Sequence, residues 1–160
     1  MAWAKLGTVT NESANDLMTL ESIPEKKFNF LIAHMIDATT NGVQLSLQHN
    51  NDTGTNYAYR INTNGGGEGT AGNITHWYNY AGAGLTNTFH IFYFVNIASE
   101  EKIATSFTMS QYFAGAAYAP NRREFVYKWA NTSDAISEID NENTHTGDFD
   151  TGSNMSLLGA

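Results

Sequence analysis

The stretch that most constrains the fold is Thr88 to Ile97, TFHIFYFVNI, the longest apolar and aromatic run in the chain. Drawn as a strand, it puts Phe89, Ile91, Tyr93, Val95 and Ile97 on one side and His90, Phe92, Phe94 and Asn96 on the other, because successive side chains of an extended backbone point to opposite faces. Both sides are apolar. A strand in a two-sheet sandwich needs only one apolar face for the core, so Phe92 and Phe94 call for a cover of their own, from a loop of the same chain or from a neighbouring subunit. A second run, Phe28 to Ala38 (FNFLIAHMIDA), is apolar on both faces in the same way and is expected to lie beside the first.

Around these two runs the chain reads as short strands separated by turns. Trp3 to Thr10 is extended and breaks at NESAND, 11–16; Leu17 to Ile23 follows, ended by Pro24. Asn41-Gly42 is a hairpin signal, since both residues tolerate the positive φ of a type I′ turn. Val43 to His49 then alternates, with Val43, Leu45 and Leu47 inward. The segment 49–73, rich in Asn and Gly, reads as a long surface loop. Ile74 to Tyr80 is a short run before the small-residue turn AGAG at 81–84. Ile103 to Phe113 alternates Ile103, Phe107, Met109 and Phe113 against Ala104, Ser106, Thr108 and Ser110. Phe125 to Ala130, Ile136 to Asp140 and Met155 to Leu158 complete the pattern. About ten strands without a helix predict an all-β sandwich or barrel in a single domain over 1–160.

Charge and composition exclude several function classes. Eight Lys and Arg oppose sixteen Asp and Glu, a formal charge of −8, and the few cations are scattered, so a nucleic-acid partner is not expected. MAWAKLG does not read as a signal peptide, and no apolar run reaches membrane-spanning length, so no membrane partner is expected and synthesis in the cytoplasm is. With no Cys, neither disulfides nor thiolate chemistry is available.

The constellations that could carry chemistry each have a plainer structural reading. Asn51-Asp52-Thr53-Gly54 could hold a cation through its oxygens, but Asn-Asp-x-Gly is also a self-bonding turn. Asp134, Glu138, Asp140, Glu142, Asp148 and Asp150 lack the spacing of a calcium loop and read as a solvated, mutually repelling edge. The five His never pair at ligand spacing, so no metal site and no cofactor are expected; His34 and His90 read as core imidazoles that could be neighbours across their strands. GGGEG at 65–69 lacks the GK[ST] of a phosphate loop, and there is no GxSxG. No catalytic residues are assigned, and the chain is read as non-enzymatic. Trp77, Tyr78 and Tyr80, with their flanking Asn and Thr, are the one cluster suited to stacking on a sugar ring.

Several segments carry a family resemblance over most of the length: AWAKLGTVT, EKKFNFLIAHMIDATTNG, NNDTGTNYAYR at 50–60 with the NGG after it, APNRREFVYKWANTS at 119–133 and TGDFDTGSNMSLLGA. In these the chain resembles small structural proteins of marine tailed bacteriophages. The resemblance implies a jelly-roll antiparallel β-sandwich and a place in the virion, on the capsid surface or at a tail or fibre. The function expected is that of a capsid decoration or cement protein stabilising the phage head, a homo-oligomer taken to be a trimer, whose other partner is the major capsid protein. Phe92, Phe94 and Trp3 are the expected oligomer or capsid contacts. The alternative is a receptor- or glycan-binding head of a tail or head fibre, using Trp77, Tyr78 and Tyr80.

Overall fold

The computed structural model describes residues 2–38, 42–80, 87–111 and 113–160, with Tyr80 described by its backbone alone. In chain order the strands are β1 (Ala4–Thr10), β2 (Leu17–Leu20), β3 (Phe28–Ile36), β4 (Gln44–His49), β5 (Tyr57–Thr63), β6 (Glu68–Ile74), β7 (Trp77–Tyr80), β8 (Asn87–Val95), β9 (Lys102–Ser110), β10 (Asn121–Trp129), β11 (Ile139–Glu142) and β12 (Asn154–Gly159). There is no helix among the described residues. All pairings are antiparallel, and they build a large sheet ordered β1-β12-β3-β8-β9-β10-β5-β6 over a small one ordered β2-β11-β4-β7.

The pairs β1–β12, β2–β11, β3–β8 and β4–β7 describe one long two-stranded ribbon whose successive rungs alternate between the two sheets. Rolling that ribbon brings β12 beside β3 and β11 beside β4, which is the jelly-roll winding. Two hairpin-like additions, β5–β6 and β9–β10, then widen the large sheet alone. The two doubly apolar runs are direct neighbours, with Leu31 opposite Phe92 and Phe30 opposite Tyr93.

The core lies between the sheets. Leu31, Met35, Phe92, Phe94, Phe125, Tyr127, Trp129, Met155 and Leu157 point inward from the large sheet to meet Met18, Leu20, Leu45, Leu47, Trp77 and Ile139 of the small one. Phe92 is 0% exposed and Phe94 2%. The small sheet of the same chain is therefore their cover.

Several sequence expectations are corrected. The glycine-rich stretch within 49–73 is not a loop but the β5–β6 hairpin, closed by Asn64 (φ 52°) and Gly65 (φ 75°) with Gly66 N donating to Thr63 O at 2.8 Å. Two successive positive φ values make a type I′ turn, so the Asn-Gly pair that forms a hairpin is the one at 64–65. Asn41 lies outside the described residues, as does the turn at 81–84; β3 and β4, the strands before and after Asn41, belong to different sheets. On β4, Gln44 and Ser46 are buried along with the leucines. Their side chains bond Thr144, so the segment after β11 lies over that outer face. Two of the six acids of the acidic run, Asp140 and Glu142, are not at an edge: they lie on β11, an interior strand of the small sheet, where Asp140 accepts from Thr19 Oγ1 at 2.6 Å.

Candidate functional site: the outer face of the large sheet

The alternation on β9 runs opposite to ordinary hydrophobic patterning. Ala104, Ser106, Thr108 and Ser110 are buried, while Ile103, Phe107 and Met109 stand in solvent. The reason is a polar network inside the sandwich. His90 has Nε2 2.7 Å from Thr88 Oγ1 and Nδ1 3.1 Å from Thr108 Oγ1, and Asn79 Nδ2 donates to the same Thr108 hydroxyl. Ser106 Oγ lies 3.5 Å from Tyr127 OH, which itself donates to Tyr78 O at 3.2 Å. Hydroxyl, imidazole and amide side chains from β8, β9 and β7 bond one another in the interior, and by the period of two the large apolar set must then face out.

Register places that apolar set in rows across the sheet. Phe30, Tyr93, Thr105 and Val126 form one row; Ile32, Ile91 and Phe107 form the next; His34, Phe89 and Met109 form a third. Trp3 closes one end, with its ring 6.4 Å from Phe30 and 6.2 Å from Tyr93, and Phe28 stacks on Tyr93 at 6.2 Å. At the other end Phe113 and Tyr118 meet at 5.0 Å and line a hollow with Phe89 and Met109. Because Ala58, Thr105 and Val126 are short, the face also dips into an apolar hollow of about 590 Å³ edged by Tyr93, Ile103, Arg60 and Lys128.

Charge rims this face on β10, β5 and β6. Arg60 pairs with Glu68, Arg122 with Glu124 at 3.5 Å and Lys128 with Glu101 at 3.1 Å. Apolar centre and polar rim is the anatomy of a protein–protein interface.

The expected contact residues divide accordingly. Phe92 and Phe94 are corrected: they are core side chains with no surface to offer, because the face of β8 that solvent reaches is the one bearing Phe89, Ile91 and Tyr93. Trp3 is half exposed and belongs to the outer face. Trp77 is likewise corrected as a sugar contact, since it is 1% exposed and packed against His49 at 4.3 Å and Tyr127 at 5.3 Å. Tyr78 does reach the surface, lining a hollow of about 450 Å³ with Tyr59, Thr75 and His76, while the side chain of Tyr80 lies outside the described residues. Ile103, Phe107, Met109 and Val126 were not assigned as contact residues from the sequence. Matching Thr88 and His90 against Ser106, Thr108 and Ser110 as one polar face would have exposed the inversion.

The remaining titratable groups in the interior serve the fold. Asp52 accepts from Trp129 Nε1 at 2.6 Å, from Gly54 N at 2.9 Å and from Asn56 Nδ2 at 3.0 Å, so 51–54 is a turn that anchors a core indole. Partial burial pushes this carboxyl up, but those hydrogen bonds outweigh it and hold it below the usual carboxylate range. Lys102, wholly buried, donates to the carbonyls of Asn131 at 2.8 Å, Glu100 at 2.9 Å and Ala98 at 3.1 Å, and its ammonium lies 5.4 Å from the Trp129 ring. Burial lowers its pKa. His90 points inward and His34 outward, so the two are not a facing pair. Among the described residues no three His, Asp or Glu side chains gather as metal ligands would.

No protein-family model and no curated protein matches the chain. Among solved structures it is similar to Scytalido-glutamic peptidase with a peptide-based transition state analog, at 7% identity and a TM-score of 0.25, over 96% of this chain and 66% of that one. It is also similar to the CBM2 module of the evolved Dit of Lactobacillus casei BL23 phage J-1, at 5% identity and 0.21, over 94% and 74%. A third is the Chromobacterium violaceum lectin CV2L in complex with alpha-methyl-fucoside, at 10% identity and 0.13, over 70% and 95%. Likenesses this distant carry no argument about what the chain does. What is established is an all-β chain folded as two antiparallel sheets packed as a jelly-roll sandwich.

Proposed function

We propose that this chain is a non-enzymatic structural protein of a virion, a jelly-roll decoration or cement subunit that stabilises a phage head by protein–protein contact. The observation that carries the reading is the outer face of the large sheet. Nearly all of the large apolar side chains that the described residues expose, from Trp3 and Tyr93 to Phe107 and Val126, belong to that one face or to the loop at its end. A patch of this kind on a soluble chain marks an interaction surface. The sequence resemblance to phage structural proteins supplies the setting, and a symmetric oligomer bound to the major capsid protein is the corresponding assembly.

The test is quantitative mass spectrometry of purified particles from the virus that encodes the chain, scaled against the shell protein. The expected result is a copy number comparable with the shell protein. Absence of the chain from particles would overturn the reading; a copy number of a few per particle would move it to a tail or fibre and replace the cement role.

A further inference from the structure

Resting on the assembly reading above, the geometry points to one occupant of the outer face: a second copy of this chain, packed large sheet to large sheet across a two-fold axis. The exposed apolar area of the face matches what a second copy would cover. Nine large apolar side chains on and beside this face are each close to half exposed. At about 200 Å² per side chain they leave on the order of 800 Å² of apolar surface in water. That is what each partner contributes to a stable interface of standard size, about 800 Å², and it is above the largest patch that an ordinary monomer tolerates.

Charge favours the same occupant. The chain as a whole carries −8, so most of its surfaces repel a second copy. This face is different. Its rim bears Lys5, Arg60, Arg122 and Lys128 against Glu68, Glu101 and Glu124, and each acid there is already beside a cation. The surplus acid lies elsewhere, with Asp140 and Glu142 on the small sheet and Asp16, Glu21 and Glu138 next to it. A near-neutral rim around an apolar centre is self-complementary, and ion pairs such as Arg60–Glu68 can exchange partners between copies. A sheet face meeting the same face of a second copy is an isologous contact, which closes as a two-fold dimer. This replaces the trimer expected at the outset. Two apposed large sheets leave both acidic small sheets on the outside, and the dimer is then the unit that meets the shell.

Sedimentation equilibrium of the purified chain between 1 and 100 µM, taken here as roughly the range that separates a stable dimer from a weak one, tests the proposal. The expected species is a dimer of twice the 17.6 kDa chain. Phe107→Asp and Ile103→Asp, at side chains 46% and 58% exposed and outside the core, are each expected to weaken it roughly 100-fold while leaving the circular dichroism unchanged. Leu17→Asp, equally exposed but on the small sheet, should leave the dimer intact. A monomer throughout, a trimer, or a dimer indifferent to both face substitutions would overturn the proposal. Failure here is distinguishable from failure of the virion reading: a solution monomer that is abundant in particles refutes the self-contact alone, whereas a dimer absent from particles refutes the virion role alone.

Discussion

Trp77→Ala is expected to destabilise the fold by about 3–5 kcal/mol, the range for removing a fully buried indole and leaving a cavity. Trp77 sits on β7 where the small sheet meets β8 and β10. It packs edge-on against His49 at 4.3 Å, near-parallel to Tyr127 at 5.3 Å and edge-on to Phe94 at 6.2 Å. Every one of those neighbours is itself buried, so the void has no flexible surface residue to collapse into it. Urea denaturation followed by circular dichroism reads the effect as a fall in midpoint at constant slope. Trp3→Ala is the internal contrast: its ring is half exposed on the outer face, so its loss should cost under about 1 kcal/mol. Equal midpoint shifts for the two would contradict the placement of Trp77 in the core.

Acidification is expected to unfold the protein over an unusually steep range. His49 and His90 are fully buried, and burial lowers each imidazole from its ordinary 6.5 to about 3. For His49, neither ring nitrogen has a hydrogen-bond partner among the described residues, so nothing in its aromatic cage of Trp77, Trp129 and Tyr57 stabilises a charged ring. The folded state therefore holds both rings neutral while the unfolded chain protonates them. Their contribution is complete above pH 6.5 and is lost as the pH falls from there toward 3, at about 1.4 kcal/mol per pH unit for each ring. Two rings give roughly 2.7 kcal/mol per unit. Three units of acidification would remove about 8 kcal/mol, within the whole stability of an ordinary domain, about 5–15 kcal/mol. Asp52 acts in the same direction, because a carboxyl held below its ordinary value also loses its contribution as pH falls. Denaturation midpoints at pH 7, 6 and 5 measure the slope, and histidine ring proton signals identify its source: two of the five rings should not titrate before unfolding. A midpoint flat between pH 7 and 5, or five rings titrating near 6.5, would contradict the account.

The sequence made the strands and their class legible because period-two patterning is a local property. The runs Phe28–Ala38 and Thr88–Ile97 were recognisable as partners from their shared character, and the strands they contain, β3 and β8, pair over their full length. What patterning could not supply was the sense of each face. For β8 both sides are apolar, so the choice between Phe92 and Tyr93 depends on which side the small sheet covers, a non-local fact. For β9 the usual rule gives the wrong side, because the interior there is a hydroxyl and imidazole network. Such a network is invisible until Thr88, His90, Asn79 and Thr108 are brought together from three strands. The β5–β6 hairpin was hidden for a different reason: its second strand, EGTAGNI, has no aromatic residue and sets Thr70 and Ile74 among Gly69, Ala71, Gly72 and Asn73, a weak strand signal that its pairing to β5 overrides. Tyr78 was legible as a surface aromatic, while the neighbouring Trp77 takes the opposite face of β7 and enters the core.

The central claim is that the outer face of the large sheet is where this protein meets its partners. Hydroxyl-radical footprinting of the purified protein in solution, read residue by residue by mass spectrometry against the unfolded chain, tests it most directly. Tyr93, Phe107 and Met109 should be protected, whereas Leu17, exposed on the small sheet, should be labelled freely. Labelling of Phe107 and Met109 as strong as that of Leu17 would contradict the account.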